Sequence, residues 1–400
     1  MDRLRATWTE RIFAIAMVVS VMTQIRVAGI IGISEILILL LGFFGKYSDT
    51  APIPRYYERQ DKFLKWIFII MPLGLAWNLI TQAKFPQTGH DLFSWIFTAY
   101  LCVVVLKKLK LYENLLAIIY SYLFFETIAN AVYIVMYFRG MGFYDENFER
   151  FEGLSLDPNQ LTESMFLVPF FSLFLIRRVI ADRPRNWIFC ILVAVACTAS
   201  SMYVCMTTDS DSFTLAIVVG VLAYLVAGTV FVFTTSHSSK LVLFADLAGI
   251  GFLILRYENV IAYISKYFEE TAEDANQYDV RKAVWKHGID AFFNSPVFGN
   301  GPGSFSGRWA AFGGAESHNT YIYIMMDFGL IGIVLFALLL FNAFKEINYS
   351  KSAEMIAAFA SFLVFNFFHS FQRMALFWFF IYLFIATGIN EEQRIDQGAR

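Results

Sequence analysis

The chain has 400 residues, 58% of them hydrophobic and only 16% charged, with a formal net charge of −2. Soluble globular proteins carry about 25% charged and about 45–50% apolar residues, so this composition excludes a soluble enzyme, a disordered chain and a coiled coil. A net charge this small provides no global basic field to attract nucleic acid. Uncharged apolar runs recur from end to end, which reads as an all-α, polytopic integral membrane protein.

In chain order, charges and Pro/Gly clusters divide these runs into about twelve segments near the ~20 residues a bilayer requires. They are 11–25, 28–45, 63–83, 91–106, 112–138, 160–180, 186–206, 213–234, 240–256, 319–344, 352–369 and 372–389. Met1 to Arg5 leads into the first without a small-residue cleavage site, so that stretch reads as a retained span. Arg26, Gly29 and Gly32 interrupt the first two segments, which form either a helical hairpin or a broken pair. Cys102, Cys190, Cys197 and Cys205 all fall inside apolar runs and read as small core residues. Glu35, Glu126 and Asp246 lie mid-run, where carboxylates are candidates for function. The competing reading is a hydrogen bond between or along helices, such as Glu126 beside Asn130 one turn along. That reading is favoured for Glu35 and Asp246, and Glu126 stays open. No internal repeat and no pair of inverted broken helices is evident, so 1–400 reads as a single membrane domain.

Lys and Arg set the orientation. With a cytoplasmic N-terminus, 20 of the 31 Lys and Arg fall on inside segments and five on short outside loops. Both termini are then cytoplasmic, and two large acidic loops, 139–159 and 257–318, face outside.

The long loop 257–318 holds the densest chemistry. Asp279 is placed to cap a helix starting at Val280, with Trp285, Ile289, Phe292 and Phe293 on its apolar face. Arg281 then falls in the first turn, where backbone N–H groups favour an anion, and Lys282 and Lys286 are one turn apart. Two readings are open: a phosphate site at headgroup depth, or a basic interfacial helix that binds lipid headgroups. Gly299, Asn300, Gly301 and Gly303 follow in a turn that either presents N–H groups to a phosphate or is a plain loop. Glu316, Ser317, His318 and Asn319 then stand at the mouth of the tenth span.

His318-Asn319 is followed by nine residues and then Gly329-x-x-Gly332. This spacing resembles the H-[NSQ]-x9-G-x-x-G motif of the O-antigen ligase and O-antigen polymerase family of bacterial membrane glycosyltransferases. Arg281, Trp285 and the stretch Asn294 to Phe305 resemble a second motif of that family, and Arg150 to Gly153 with Asp157 to Leu161 a third. One departure stands out. Where members often carry Ser-Arg in an outside loop, this chain has Thr207 to Ser212, with Asp211 in the arginine's place.

The resemblance implies a GT-C-like membrane fold with short amphipathic helices in a long periplasmic loop. It implies a donor glycan on undecaprenyl pyrophosphate, transferred with inversion at the periplasmic face of the bacterial inner membrane. His318 would be the base for the acceptor hydroxyl, Arg281 the ligand of the pyrophosphate, and Glu316 the group orienting the imidazole. Arg150, Asn159, Lys282, Lys286, Asn300, Gly301, Gly303, Arg308 and Asn319 would line the substrate, with Arg150, Arg308 or Lys282 replacing the missing arginine. The five histidines are scattered and no Asp-x-Asp is read here as a divalent-ion site, so no metal or cofactor is expected. Partners would be the lipid-linked donor and acceptor, membrane lipid and a chain-length regulator, with no nucleic acid. The absent arginine favours the repeat-unit polymerase over the ligase that uses lipid A-core as acceptor. A secondary transporter with the 281–318 loop as its outer gate is a reading from another class.

The charge count generates a direct test of topology. Reporter fusions after residue 300 and after residue 395 should report periplasmic and cytoplasmic locations, respectively; the opposite result at either point defeats this arrangement.

Overall fold

The first apolar stretches do not run straight through a bilayer. The computed structural model describes residues 4–27, 31–47, 58–81, 88–145, 150–234, 275–303 and 317–398. Helix α1 (Trp8–Val18) opens with a capping box, in which Thr7 Oγ1 accepts from Glu10 N and Glu10 Oε2 accepts from Thr7 N. It ends in a 3-10 turn at Val21; Arg26–Val27 (β1) then pairs antiparallel with Ile31–Gly32 (β2), and α2 (Ile33–Phe44) follows. At 1.5 Å per residue, helices of 11 and 12 residues reach only about half of a ~30 Å hydrocarbon core. The chain then turns back on itself: Thr9 Oγ1, at the start of α1, donates to Lys46 O just past the end of α2, so of the two arrangements open for this region a hairpin of short helices is the one formed.

The rest of the described chain is built from α3 (Glu58–Thr81), α4 (Thr88–Tyr100, continued through a π-helical turn to Leu109), α5 (Leu115–Phe138), α6 (Pro158–Thr162), α7 (Val168–Asp182), α8 (Trp187–Thr207), α9 (Asp211–Thr234), α10 (Ala275–Asn294), α11 (Thr320–Ser350), α12 (Ala353–Phe368) and α13 (Ala375–Gly398). A second strand pair, Phe143–Asp145 (β3) with Arg150–Gly153 (β4), lies between α5 and α6. Among the described residues, seven helices are long and apolar enough to cross a membrane: α3, α4 through Leu109, α5, α8, α9, α11 and α13; α2 and α12 are apolar but shorter. The expected span 160–180 instead divides into α6, a turn and the 15-residue α7. The expected span 240–256 lies outside the described residues.

Polar side chains sort the bundle into two ends. At one, Asn114 Nδ2 donates to Glu10 Oε1 at 2.7 Å, Leu4 N to Asn186 Oδ1 at 3.0 Å, and Arg178 Nη2 to Glu391 Oε2 at 2.5 Å. Arg177 joins Glu354 there, and Asn390 the Tyr112 carbonyl. The stretches carrying the family motifs meet at the other end. The segments counted above as basic and inside thus gather opposite those motifs.

Helix α13 is the central post. Every residue from Ala375 to Ala386 is buried. Successive residues of a helix point about 100° apart, so consecutive aromatic rings reach different neighbours. Phe377 meets Phe336 and Phe362, Trp378 meets Phe63 and Trp95, Phe379 meets Phe13 and Tyr122, and Phe380 meets Phe166 and Phe171. In lipid, where burial from water offers little between helices, such close ring packing holds them together.

Helix α11 is broken at Gly329, whose φ of 64° and ψ of −159° are open only to glycine. The break removes the bonds by which Leu330 N and Ile331 N would reach the carbonyls of Met326 and Asp327, four residues back. The turn after α10 replaces them. Asn300 N donates to Met326 O at 2.8 Å and Gly301 N to Asp327 O at 3.0 Å, while Leu330 N donates to Pro296 O at 2.8 Å and Ile331 N to Val297 O at 3.4 Å. Glycines allow the approach: a Cβ on Gly299 would stand 2.3 Å from the Asp327 carbonyl, and one on Gly74 of α3 would stand 2.7 Å from Gly301 N. Trp77 Nε1 and Asn78 Nδ2 of α3 complete the junction by donating to the carbonyls of Asn294 and Asn300.

Gly329→Ala should therefore be among the costliest small substitutions in the chain. Its Cβ would lie 2.5 Å from the Val297 oxygen at a backbone conformation closed to alanine. A loss of about 3 kcal/mol or more is expected. Gly89→Ala, where nothing lies within 4 Å, is the control. Thermal unfolding in detergent should separate the two variants; equal melting would refute the junction.

Candidate functional site

The start of α11 sets the geometry of the His318 motif. Asn319 caps the helix, its Oδ1 accepting from Tyr321 N and Ile322 N at 3.0 Å each. The preceding His318 is exposed and held at φ 44°, in the left-handed region that non-glycine residues enter at a cost. The turn between α12 and α13 clamps this corner. Thr320 N donates to His369 O at 3.0 Å, and Asn319 N donates to Ser370 Oγ at 2.8 Å. The Thr320 hydroxyl lies within hydrogen-bonding reach of Asn366, His369 O and Gln372.

Helix α10 is pinned to the same corner by Trp285, whose Nε1 donates to Ser317 O at 2.8 Å and whose ring meets Phe367 edge-on. Its packed stripe runs through Val284, Gly288 and Ala291 against Ile322, Tyr323 and Met326 of α11. This differs from the expected apolar face: Ile289 and Phe293 are exposed, and the small residues do the packing because α11 comes within 2.5 Å of a Cβ at Gly288. The helix also begins at Ala275, ahead of Asp279. Arg281 consequently falls in its second turn, beyond the unbonded N–H groups of the helix terminus that favour an anion. Lys282 and Lys286 are exposed on the same helix, either side of Trp285.

The third motif folds around Asn159. Asp157 caps α6 by accepting from Asn159 N at 2.6 Å, which presents the Asn159 side chain to its surroundings. Asn159 Oδ1 accepts from Arg150 Nη2 at 3.1 Å and from Ser210 Oγ at 2.8 Å. Arg150 Nε donates to the Thr208 carbonyl at 2.7 Å. Ser210 contacts Ser212, and Ser212 Oγ lies 2.5 Å from His369 Nε2. One connected set of polar contacts therefore joins the Arg150 loop, the 207–212 loop and the α12–α13 turn that holds the start of α11.

A second charged group lies beside it. Arg373 Nη1 donates to the buried Asp91 Oδ1 at 3.0 Å, His90 Nδ1 lies 3.0 Å from the same oxygen, and the guanidinium sits 5.5 Å from the Tyr323 ring centre. Glu163, in the turn after α6, is buried. Desolvation and then the nearby Asp157 raise its carboxyl well above the ordinary range, and Arg373 opposes them.

The expected site residues divide into four groups. Arg150, Asn159 and Asn319 are joined through the contacts above, with exposed His318 next to Asn319 in the chain. Arg281, Lys282 and Lys286 stand on α10. Asn300 and Gly301 are instead at the α11 break, where their N–H groups are bonded to its carbonyls, and Gly303 is buried beside them. Glu316 and Arg308 lie outside the described residues. Two readings need correction. Glu126 bonds to Ser164 Oγ at 3.0 Å, while Asn130 reaches across to Ser201 on α8. Asp209 and Asp211 do have an Asp-x-Asp spacing; both are exposed, at the start of α9. Among the described residues, no group of three or more His, Cys, Asp and Glu is placed to hold a metal ion. The sequence places His369 and Arg373 together at the outer end of the last helical hairpin, but it does not join His369 to Ser212, or Ser370 and Gln372 to the start of α11. The polar interruption from Asn366 to Arg373 in a phenylalanine-rich stretch was the available signal.

Residues 196–337 match the family model described as O-antigen ligase, a stretch that takes in the 207–212 loop, α10, the glycine turn and the His318 motif. No curated protein matches the chain. The matched segment supplies the broken helix and its partner turn, and together with the Arg150 and His318 motifs brought to one end of the bundle it supports placing the chain with the O-antigen ligase and polymerase family.

Proposed function

We propose that the protein is an inverting, metal-independent glycosyltransferase that polymerises oligosaccharide repeat units carried on undecaprenyl pyrophosphate at the periplasmic face of the inner membrane. The observation that carries this reading is the convergence of residues 150–159, 207–212 and 317–320, distant in sequence, through one set of hydrogen bonds. The acceptor hydroxyl attacks the anomeric carbon of the donor glycan, the bond from that carbon to the pyrophosphate oxygen breaks, and lipid pyrophosphate departs. The hydroxyl proton passes to the imidazole of His318, whose ordinary pKa of about 6.5 suits a base at neutral pH. Since the leaving group is good, most of the task is to stabilise charge developing on the phosphates.

Arg150 supports this assignment. Its Nε bonds the Thr208 carbonyl, so its guanidinium lies on the loop where family members often carry an arginine and this chain has none. Arg281, Lys282 and Lys286 on α10 are the further cations for the pyrophosphate. The ligase reading shares this donor and differs in the acceptor, and the O-antigen ligase family matched over 196–337 lends it support. Transfer assays with purified protein, one with a lipid-linked repeat unit and one with lipid A-core as acceptor, decide between the two.

His318→Ala should lower turnover by ~10²–10⁴-fold while donor binding persists, because a base acts mainly in the transition state. Arg281→Ala should abolish transfer, with only partial recovery in Arg281→Lys, since a point charge replaces a bidentate fork. Near-normal turnover in His318→Ala, or lost donor binding, would remove the base assignment; full activity in Arg281→Ala would place the pyrophosphate elsewhere.

A further inference from the structure

The polar chain between Arg150 and the α12–α13 turn has a direction that follows from one fixed point. A guanidinium can only donate. Arg150 Nη2 is 3.1 Å from the Asn159 side chain, so the amide oxygen, and not its nitrogen, faces the arginine. That oxygen only accepts, so Ser210 Oγ, 2.8 Å away, donates its single hydroxyl proton there. Ser210 must then accept from Ser212 across 3.2 Å, which uses the one hydroxyl proton of Ser212. In the last contact, 2.5 Å from Ser212 Oγ to His369 Nε2, the imidazole has to be the donor.

The sequence of bonds is therefore His369 Nε2–H to Ser212, Ser212 to Ser210, and Ser210 to Asn159, where it meets the bond from Arg150. Ser210, Ser212 and His369 are all buried, so a lost member leaves a polar group without water to replace it. The imidazole is fixed by its stack on Phe365, with ring centres 4.3 Å apart, and the carbonyl of the same residue accepts from Thr320 N. We infer that His369 is a positioning residue for Arg150, holding Asn159 and through it the guanidinium in register with the start of α11, where His318 stands. This rests on the reading of Arg150 as a ligand of the donor pyrophosphate.

Two substitutions separate the hydrogen bond from the packing. His369→Gln keeps an N–H donor; His369→Phe keeps a ring on Phe365 and removes the donor. Transfer from a lipid-pyrophosphate-linked oligosaccharide is measured with the purified full chain, in wild-type and Arg150→Ala backgrounds. The expected result is a fall in kcat/KM for the donor of about tenfold in His369→Phe, the upper end of what one neutral hydrogen bond contributes, and of less than about threefold in His369→Gln. In the Arg150→Ala background the Phe substitution should add less than about twofold, since the two sites act as a unit. Equal losses in the two variants, or an undiminished loss without Arg150, overturn the inference. Where His369→Phe fails to accumulate, Ser212→Ala interrupts the same chain.

A normal rate in Arg150→Ala alone would instead defeat the assignment of Arg150 to the donor. The proton direction then has its own readout. Nitrogen-15 NMR of labelled histidine, with His369 identified by the signal missing in His369→Gln, should show the proton on Nε2. A tautomer protonated only on Nδ1 overturns the chain itself.

Discussion

The exchange of backbone hydrogen bonds at the break in α11 is the constraint on which the rest of this architecture depends. Non-helical backbone at membrane depth is tolerated only where protein satisfies its polar groups. Gly329 lies nine residues into α11, about 14 Å along the helix from Thr320 at 1.5 Å per residue. There the Met326 and Asp327 carbonyls accept from Asn300 and Gly301, and Leu330 and Ile331 donate to Pro296 and Val297. Four backbone bonds are thus remade between two segments that neither helix would form alone. The turn in this position fixes the end of α10, which is why Trp285 reaches Ser317 beside His318.

This accounts for a division of labour between glycines and polar residues. Gly74, Gly299 and Gly329 contribute the absence of a Cβ, which lets α3, the turn and α11 meet at backbone distance. The chemistry stands farther out, at the helix ends, where Asn159, Ser210, Thr320 and the carbonyls of Thr208 and His369 orient side chains. Helix α13 connects the two levels. Its aromatic residues reach α1, α3, α4, α5, α7, α11 and α12, so the turn ahead of it, which carries His369 to Arg373, is presented from the centre of the bundle.

Two guanidinium groups illustrate how position decides what a charge can do. Arg373 is matched by the fully buried carboxylate of Asp91 and lies over Tyr323, an arrangement suited to holding α4, α11 and α13 together. Arg150 has neutral acceptors in Asn159 Oδ1 and the Thr208 carbonyl. Neutral acceptors orient a guanidinium without cancelling its charge, which leaves it attractive to a phosphate.

Composition and periodicity were enough to determine that this chain is a helical membrane protein, because a span must be predominantly apolar whatever its neighbours are. The spacing from His318 to Gly332 and the Arg150 to Leu161 stretch were legible for the same kind of reason: each is a local pattern along a short run of the chain. The tertiary structure alone decided that Asn300 and Gly301 bond to the α11 break, since a free N–H and one awaiting a distant carbonyl look the same in sequence. It also decided that α10 begins at Ala275 and packs through Gly288, because the width of its partner, not its own pattern, chose the buried stripe. The link from His369 to Arg150 was invisible, as its members come from four separate segments and the motif around Arg150 and Asn159 says nothing of Ser210, Ser212 or His369. Hydrogen bonds between such segments depend on which helices pack side by side, and that is set by three-dimensional contact, which a linear pattern of residues does not encode.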